Sequence, residues 1–322
     1  MTASGANIAG KPPKYSFGVV ILNWNNAGDT VSCLDALSLT DPRPKHIVVV
    51  DNGSVDNSAS AIVARLSQDG SLEPHSFEQS VTVIRAGANL GFAGGTNRGI
   101  GWLMSDTATS HVVLLNNDAT VSRSFFGDVS HSLEQIGKDA VVGPTIYEDP
   151  DRRRLWYAGA REIPSRALVK HTLSKPASLV PLPTDFVSGC AMIIARGVIE
   201  KIGMLAECYF PAYFEDGDFC QRAHKAGIAV MYAPAPVVYH KVGSTVRAAN
   251  IETMLIHAKN RLRVVYVRRN YTGTQKAIAL SYLAVTKPAK FVVETLTGHP
   301  RHGWAILSGA TAGFFSRDLG TR

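Results

Sequence analysis

Short, almost wholly apolar runs alternate with longer amphipathic segments through the first 145 residues. The runs are Phe17 to Asn23 (FGVVILN), His46 to Asp51 (HIVVVD), Val81 to Arg85 (VTVIR) and Ser110 to Leu115 (SHVVLL). A strand with no polar alternation must be covered on both faces, which is the condition of a parallel strand between helical layers. The periodicity of the intervening stretches predicts helices over 29–39, 57–66, 94–104 and 124–136. With 322 residues, 45% of them hydrophobic, the chain can bury one large α/β core and an appendage. That excludes a disordered polymer and a disulfide-stapled mini-domain. Cys33, Cys190, Cys208 and Cys220 form no C-x-x-C pair, and reduced thiols in a cytosolic setting are expected.

From 146 to 183 the periodicity breaks down, around Arg152-Arg153-Arg154 and five prolines; irregular structure with a hairpin is expected there. A strand resumes over 185–195, followed by a short helix from Gly197, a helix over 216–226, and short strands at 230–232 and 237–240. From Ile251 the chain reads as two or three helices with Arg/Lys-rich faces, broken at Gly273, Pro288 and His299-Pro300. No internal repeat or low-complexity tract is visible.

The formal net charge of +7 is uneven: residues 241–322 carry 13 Lys+Arg against 3 Asp+Glu, leaving the first 240 slightly acidic. A basic tail calls for an anionic partner, lipid or nucleic acid, unless it is simply a solvated helical face. Met1 to Ser16 is polar and lacks an apolar h-region, so no secretory signal is expected. Ala277 to Thr286 is about ten residues long, half of what a spanning helix needs. Peripheral rather than integral membrane contact is therefore the expectation.

Polar residues collect where three of the first four strands end, as Asn23-Trp24-Asn25-Asn26, Asp51-Asn52-Gly53-Ser54 and Asn116-Asn117-Asp118. Singly, each reads as a turn former or helix cap. Together they mark the carboxyl edge of an open α/β sheet, where ligands bind. Asp51 is suited to accept a hydrogen bond from a base or ribose. The stretch after the first strand is not G-x-G-x-x-G, and no Walker pattern occurs, so the dinucleotide and P-loop readings lose their fingerprints. Gly87 to Gly99 (GANLGFAGGTNRG) reads either as backbone approaching a ligand, with Asn97 and Arg98 reaching phosphate or sugar, or as a tight helix entry. Tyr213-Phe214-Glu215-Asp216-Gly217-Asp218 places three acids behind an aromatic pair. They either complement a helix N-terminus or include a general base of raised pKa. His240, ending VVYH, is a candidate metal ligand or a satisfied strand-end histidine.

Taken in order, VVILNWNN, VVVDNGSVDNS, ANLGFAGGTNRG, LLNNDA, DFVSGCAMII, YFEDGDFCQRAHKAG and VVYHKVGST resemble the inverting family-two nucleotide-sugar glycosyltransferases of the GT-A fold. The similarity covers about 17–245, and within the family it is strongest toward bacterial rhamnosyltransferase-type enzymes of cell-surface polysaccharide. The resemblance implies a Rossmann-like, mostly parallel central sheet flanked by helices. It implies a glycosyltransferase domain at 17–245, and the polar stretch before it, 1–16, is expected to be a flexible segment. Within that domain the nucleotide-binding half is about 17–120 and the acceptor-binding half about 121–245. A basic C-terminal helical segment follows at 246–322.

It further implies that Asn23, Asn25, Asp51, Asn89, Gly91, Asn97, Arg98 and Asn117 shape the nucleotide-sugar site. Asp118, the last acid of a D-x-D element whose first position is Asn116, would hold Mg2+ or Mn2+ together with His240. The amide at Asn116 is a weaker ligand than the usual carboxylate. Asp216 would be the catalytic base, with Glu215 and Asp218 orienting the acceptor, while Trp24, Tyr213 and Phe214 stack on sugars or pack in the core.

The implied reaction is transfer of a sugar, L-rhamnose from dTDP-L-rhamnose or a hexose from a UDP-sugar, to a hydroxyl of a lipid-linked cell-surface glycan. Lys259, Arg261, Arg263, Arg268, Arg269, Lys276, Lys287 and Lys290, interleaved with Leu262, Val264, Val265, Tyr266, Leu280, Tyr282, Leu283 and Phe291, would rest on anionic lipid. The expected location is the cytoplasm, at the inner membrane's cytoplasmic face. A sugar-nucleotidyltransferase would carry a basic Gly-rich loop after the first strand, and residues 23–28 have no basic residue. A nucleic-acid binder would spread its basicity beyond the tail. An inactive glycan-binding relative would not be expected to keep Asp118 and Asp216.

Overall fold

A ten-stranded sheet organises the protein, in the order β10-β12-β6-β11-β4-β1-β2-β3, with β5 and β7 branching from β12 and β6. The computed structural model describes residues 14–67, 80–242 and 251–316. The first half runs β1 (Phe17–Asn23), α1 (Ala27–Ser38), β2 (His46–Asp51), α2 (Ser58–Ser67), β3 (Val81–Arg85), α3 (Gly91–Ser105) and β4 (His111–Asn116). Next come β5 (Ala119–Val121), α4 (Phe125–Ile136), β6 (Ala140–Glu148), β7 (Leu155–Tyr157), β8 (Ala160–Ile163), β9 (Leu168–His171) and β10 (Leu182–Pro183). The remainder is β11 (Ala191–Ala195), α5 (Arg196–Ile202), α6 (Glu215–Lys225), β12 (Ala229–His240), α7 (Glu252–Asn270), α8 (Gly273–Leu296) and α9 (Pro300–Phe315). The expected mostly parallel sheet flanked by helices, with C-terminal helices beyond it, is what the chain forms.

β1, β2, β3 and β4 pair in parallel, and the register sets Asn23 beside Asp51 and Leu22 beside Asn116. The polar strand ends thus come to one edge. One face of the sheet is covered by a core that includes Leu34, Leu37, Ile62, Phe125, Phe126 and Val129. On the other face Ile100, Leu103, Val198, Ile199 and Phe219 take that role. α3 lies unusually close to the strands. A Cβ on Gly95 would stand 2.4 Å from Leu22 Cδ1, and one on Gly99 2.5 Å from Val20 Cγ1. These two glycines therefore serve helix–sheet packing, the second of the two readings open for that stretch.

Four features depart from the sequence expectations. β6 and the three-residue β5 were not foreseen, and only 191–195 of the expected 185–195 strand is extended. The two short strands near the end are one, β12, parallel to β6 with a register shift between Ala233 and Val237. Pro288 does not break a helix but sits inside α8. There Pro288 is exposed, as is Ala284 one turn earlier, whose carbonyl loses its helical partner to the proline.

α7, α8 and α9 form a third cluster in which Leu262, Val264, Val265, Tyr266, Val267 and Leu283 are buried with Tyr209 and Ala206. Several of the apolar residues expected to meet lipid are thus core, each contributing about 1.5–3 kcal/mol of burial. No described helix is long and apolar enough to cross a membrane. All four cysteines are free. The N-terminal segment up to residue 13, the end of VVYHKVGST at 243–245 and the boundary at 245/246 lie outside the described residues.

Candidate active site

At the carboxyl edge of β1 and β2 the buried polar side chains hold one another. Asn23 Nδ2 donates to Asp51 Oδ1 at 3.0 Å and to Ser54 Oγ at 3.1 Å, while its carbonyl accepts from Thr30 Oγ1 at 2.8 Å. Asn117 Nδ2 donates to the same Thr30 hydroxyl at 3.1 Å. Asn25, at a left-handed φ of 52°, donates its N–H to Ser54 Oγ and accepts from the Val55 N–H through its side-chain Oδ1. A second knot joins the β2 end to the loop before α3. Asn52 accepts from Leu90 N–H at 3.0 Å and donates to Asn89 Oδ1 and to the Gly91 carbonyl, both at 3.2 Å. Gly91 has φ +74°, and a Cβ there would stand 2.8 Å from the Pro211 carbonyl, so only glycine closes this junction.

Asp118 and His240 are 122 positions apart in sequence and meet through the sheet. The β4–β5 turn carries Asp118, and β5 pairs antiparallel with β12 so that Ala119 opposes His240. His240 Nε2 stands 3.1 Å from Asp118 Oδ1 and 3.4 Å from Asn116 Nδ2, with the Trp156 ring edge-on at 5.2 Å. Burial opposes charging of this imidazole, but Cys190 and the Asp118 carboxylate beside it prevail and raise its pKa to about 11. A carboxylate, an imidazole and an amide here make a donor set that a divalent cation accepts when phosphate oxygens and water complete the shell. Among the described residues no group of three or more His, Cys, Asp or Glu gathers around a point, so substrate oxygens have to supply part of any coordination.

Asp216 opens α6 on the wall of a cavity of about 740 Å³ that Asn116, His240, Tyr213, Phe214 and Glu215 also line. Its two carboxylate oxygens are held by backbone, Oδ2 by Gly189 N–H at 3.0 Å and Oδ1 by Gly217 N–H at 2.8 Å. Burial raises its pKa, and those two N–H groups pull partly the other way. Glu215 is buried beside it and pushed well above the carboxylate range, first by burial and then by the Asp216 charge. The turn that aims these acids is strained: Tyr213 and Phe214 both adopt positive φ, 85° and 77°. Such conformations cost about 1–3 kcal/mol each and gather at working sites.

Other expected site residues are placed differently. Asp218 is fully buried and receives Tyr209 Oη at 3.1 Å, Arg222 Nε at 2.9 Å, Arg269 Nε at 3.0 Å and Asn270 Nδ2 at 3.0 Å. It therefore fastens α6 to α7. Asn97 spends its amide on the Leu205 backbone and on Glu207 Oε1, and Arg98 is exposed on the outer side of α3. In the C-terminal segment Arg268 donates to the Gly313 and Ser316 carbonyls, and Lys259, Arg263, Lys287 and Lys290 line the cavity. That basic set is not the lipid-facing stripe its spacing suggested. Sequence reasoning passed over Thr30, Ser54, Asn52 and Gly189. Ser54 and Asn52 lie in the polar strand-end runs and Gly189 in DFVSGCAMII, whereas Thr30 carries no local signal.

Residues 18–203 match glycosyl transferase family 2. The chain is 29% identical over 255 residues to an N-acetylglucosaminyl-diphospho-decaprenol L-rhamnosyltransferase of Mycobacterium tuberculosis, covering 71% of this chain and 77% of that one. A low-salt glycan biosynthesis hexosyltransferase of Haloferax volcanii is 24% identical over 220 residues, 66% of this chain and 62% of its own. Among solved structures, GalNAc-T7 with UDP, GalNAc and Mn2+ superposes with TM-score 0.60 at 15% identity, over 89% of this chain and 54% of that longer one. The mannosyltransferase PcManGT of Pyrobaculum calidifontis, in complex with GDP-Man and Mn2+, gives TM-score 0.56 at 16% identity, over 95% and 89%. These likenesses establish the GT-A fold.

Proposed function

The chain belongs to glycosyl transferase family 2 and is a glycosyltransferase, and from that premise we propose that it is an inverting enzyme of cell-envelope glycan assembly. Its donor is a nucleotide-diphospho-sugar, dTDP-L-rhamnose by preference over a UDP-hexose. Its acceptor is a hydroxyl of a polyprenyl-diphosphate-linked glycan. The observation that carries the reading is Asp216: a carboxylate of raised pKa, held by two backbone N–H groups, faces the same cavity as the His240 and Asn116 end of the strand edge. Support for the sugar comes from the rhamnosyltransferase relative.

In this reading Asn23, Asn25, Asp51, Asn89, Gly91 and Asn117 frame the nucleotide, in the 17–120 half of the domain. Asp216 takes the proton from the acceptor hydroxyl as that oxygen attacks the anomeric carbon, and the nucleoside diphosphate departs from the opposite face. Glu215 keeps the base desolvated. Asp118 and His240, with Asn116, would hold Mg2+ or Mn2+, which when bound offsets charge on the leaving diphosphate. The imidazole must give up its proton to serve as a ligand.

Association is peripheral, at the cytoplasmic face of the inner membrane. Ile278, Tyr282, Val285, Val292, Val293 and Leu296 recur at helical spacing on α8, exposed, Val285 at 72% and Leu296 at 82%. The test is release of nucleoside diphosphate from dTDP-L-rhamnose and a panel of UDP- and GDP-sugars, with Mg2+, Mn2+ or EDTA. The acceptor is a short-chain polyprenyl-diphosphate N-acetylglucosamine. Acceptor-dependent turnover of one donor, lost in Asp216→Asn, is expected; no turnover with any pair refutes the reading.

A further inference from the structure

The C-terminal helices turn four cations into the cavity that holds Asp216. Lys259 and Arg263 are four residues apart on α7, Lys287 and Lys290 three apart on α8, so each pair shares a helix face, and all four line the cavity. Lys287 is only 7% exposed, and among the described residues no hydrogen-bond acceptor or carboxylate reaches its ammonium. Burial and then Arg263, Lys290 and Lys259 lower its pKa to about 8. Lys259 is lowered likewise, by burial, Arg263 and Lys290, with its ammonium 5.0 Å from the centre of the Tyr213 ring. Arg263 is anchored by the Ala167 and Arg166 carbonyls.

Nearby acids do not neutralise this group. Glu162 is engaged by the hydroxyls of Tyr266 and Tyr271 and by the Gln221 amide; Glu215 and Asp216 line the cavity from α6 and Glu294 from α8, and among the described residues none of them forms an ion pair with the four cations. Holding like charges together with one lysine buried is costly. A polyvalent anion that enters from solution removes that cost.

We propose that Lys259, Arg263, Lys287 and Lys290 seat the diphosphate of the polyprenyl-diphosphate-linked acceptor; the inference rests on the lipid-linked acceptor reading above. A transfer between two diphosphate-bearing substrates needs two phosphate stations. The strand-edge station is built from β1, β2, β5 and β12. The second comes from α7 and α8, helices that pack on α6 and on the 164–166 turn. α8 also suits a ligand drawn from a bilayer, because Lys287 lies half a turn away from the exposed stripe of Val285, Val292 and Leu296.

The test uses the full chain with Mg2+ and three probes: farnesyl diphosphate, inorganic pyrophosphate and dTDP. Affinities are read by calorimetry and unfolding temperatures are recorded. Lys287→Met and Lys290→Ala should each weaken farnesyl diphosphate and pyrophosphate at least tenfold and leave dTDP within twofold. Lys287→Met should unfold at an equal or higher temperature, since it removes a buried charge without a partner. Unchanged farnesyl diphosphate affinity in both variants overturns the proposal, and so does an equal loss for dTDP, which assigns the cations to the donor. Failure of the wild type to bind dTDP, and UDP in a parallel titration, would instead strike the functional reading beneath it.

Discussion

Replacing Asp218 by Asn decides whether this acid acts on the acceptor or on the architecture. The side chain has no exposure, and its partners Arg222 and Arg269 are 21% and 15% exposed. Asparagine preserves volume and one acceptor oxygen but leaves two largely buried guanidinium groups without a counter-charge, and presents an amide N–H₂ to donors. Breaking a buried pair from one side costs about 3–5 kcal/mol, and the partial exposure of both arginines favours the lower end, about 3 kcal/mol. At about 2 °C per kcal/mol for a chain of this size, the unfolding midpoint should fall by roughly 6 °C. The assay pairs thermal unfolding with steady-state transfer below the new midpoint. There, KM for donor should be preserved and transfer reduced only as far as α6 has loosened. A variant with native stability and a collapsed rate would refute the argument and return Asp218 to acceptor orientation.

Asp216→Asn should reduce transfer at least 10³-fold while nucleotide affinity stays within threefold; retained turnover refutes the base assignment. Because burial raises the Asp216 pKa and the base works ionised, kcat/KM should rise with pH through an acid limb above the ordinary aspartate value of about 4, and a limb at or below that value argues against it. Asp118→Ala and His240→Ala should each weaken Mn2+-dependent nucleotide binding by tenfold or more, with EDTA abolishing the difference from wild type. Glu215 is raised by burial, so its contribution to stability is present at low pH and lost as pH climbs through its folded pKa. Glu215→Gln should therefore be the more stable form at pH 8, the gap closing on acidification, and the opposite trend in urea titrations would contradict this. Asn97→Ala should cost about 1–2 kcal/mol of stability and leave donor KM unchanged.

Much of the candidate site is legible in the sequence because parallel α/β chemistry concentrates at strand ends, and the polar endings of three apolar runs are visible in a linear sequence. What was hidden depended on contacts between distant segments. β6 carries Gly143-Pro144, and a proline argues against a central strand. Pro144 is tolerated because β12 breaks register opposite it, where Pro234 and Pro236 fall, and Thr145 bonds the Pro234 carbonyl at 2.9 Å and Tyr232 Oη at 2.8 Å. The stretch 185–190 looked extended, yet it turns so that the Gly189 N–H can meet Asp216. Asp218 and Asp216 look equivalent in a run of acids. Two residues, rather more than half a helical turn, separate a carboxylate aimed at a cavity from one locked among arginines contributed by α6 itself and by a helix fifty residues later. The spacing of the basic residues in α7 and α8 cannot tell a face turned to lipid from a face turned inward.

The Asp218 junction also bears on how such enzymes can be recombined. The helix that presents Asp216, the proposed base, is moored by Arg269 and Asn270, which lie far beyond residue 203, where the family match ends. The family-matching half and the tail are therefore not interchangeable parts. A chimera that swaps 251–316 between relatives would inherit a working base only if Tyr209, Asp218, Arg222, Arg269 and Asn270 travel together as one set. Acceptor preference could then be transplanted with the tail, at the level of whole helices rather than single loops.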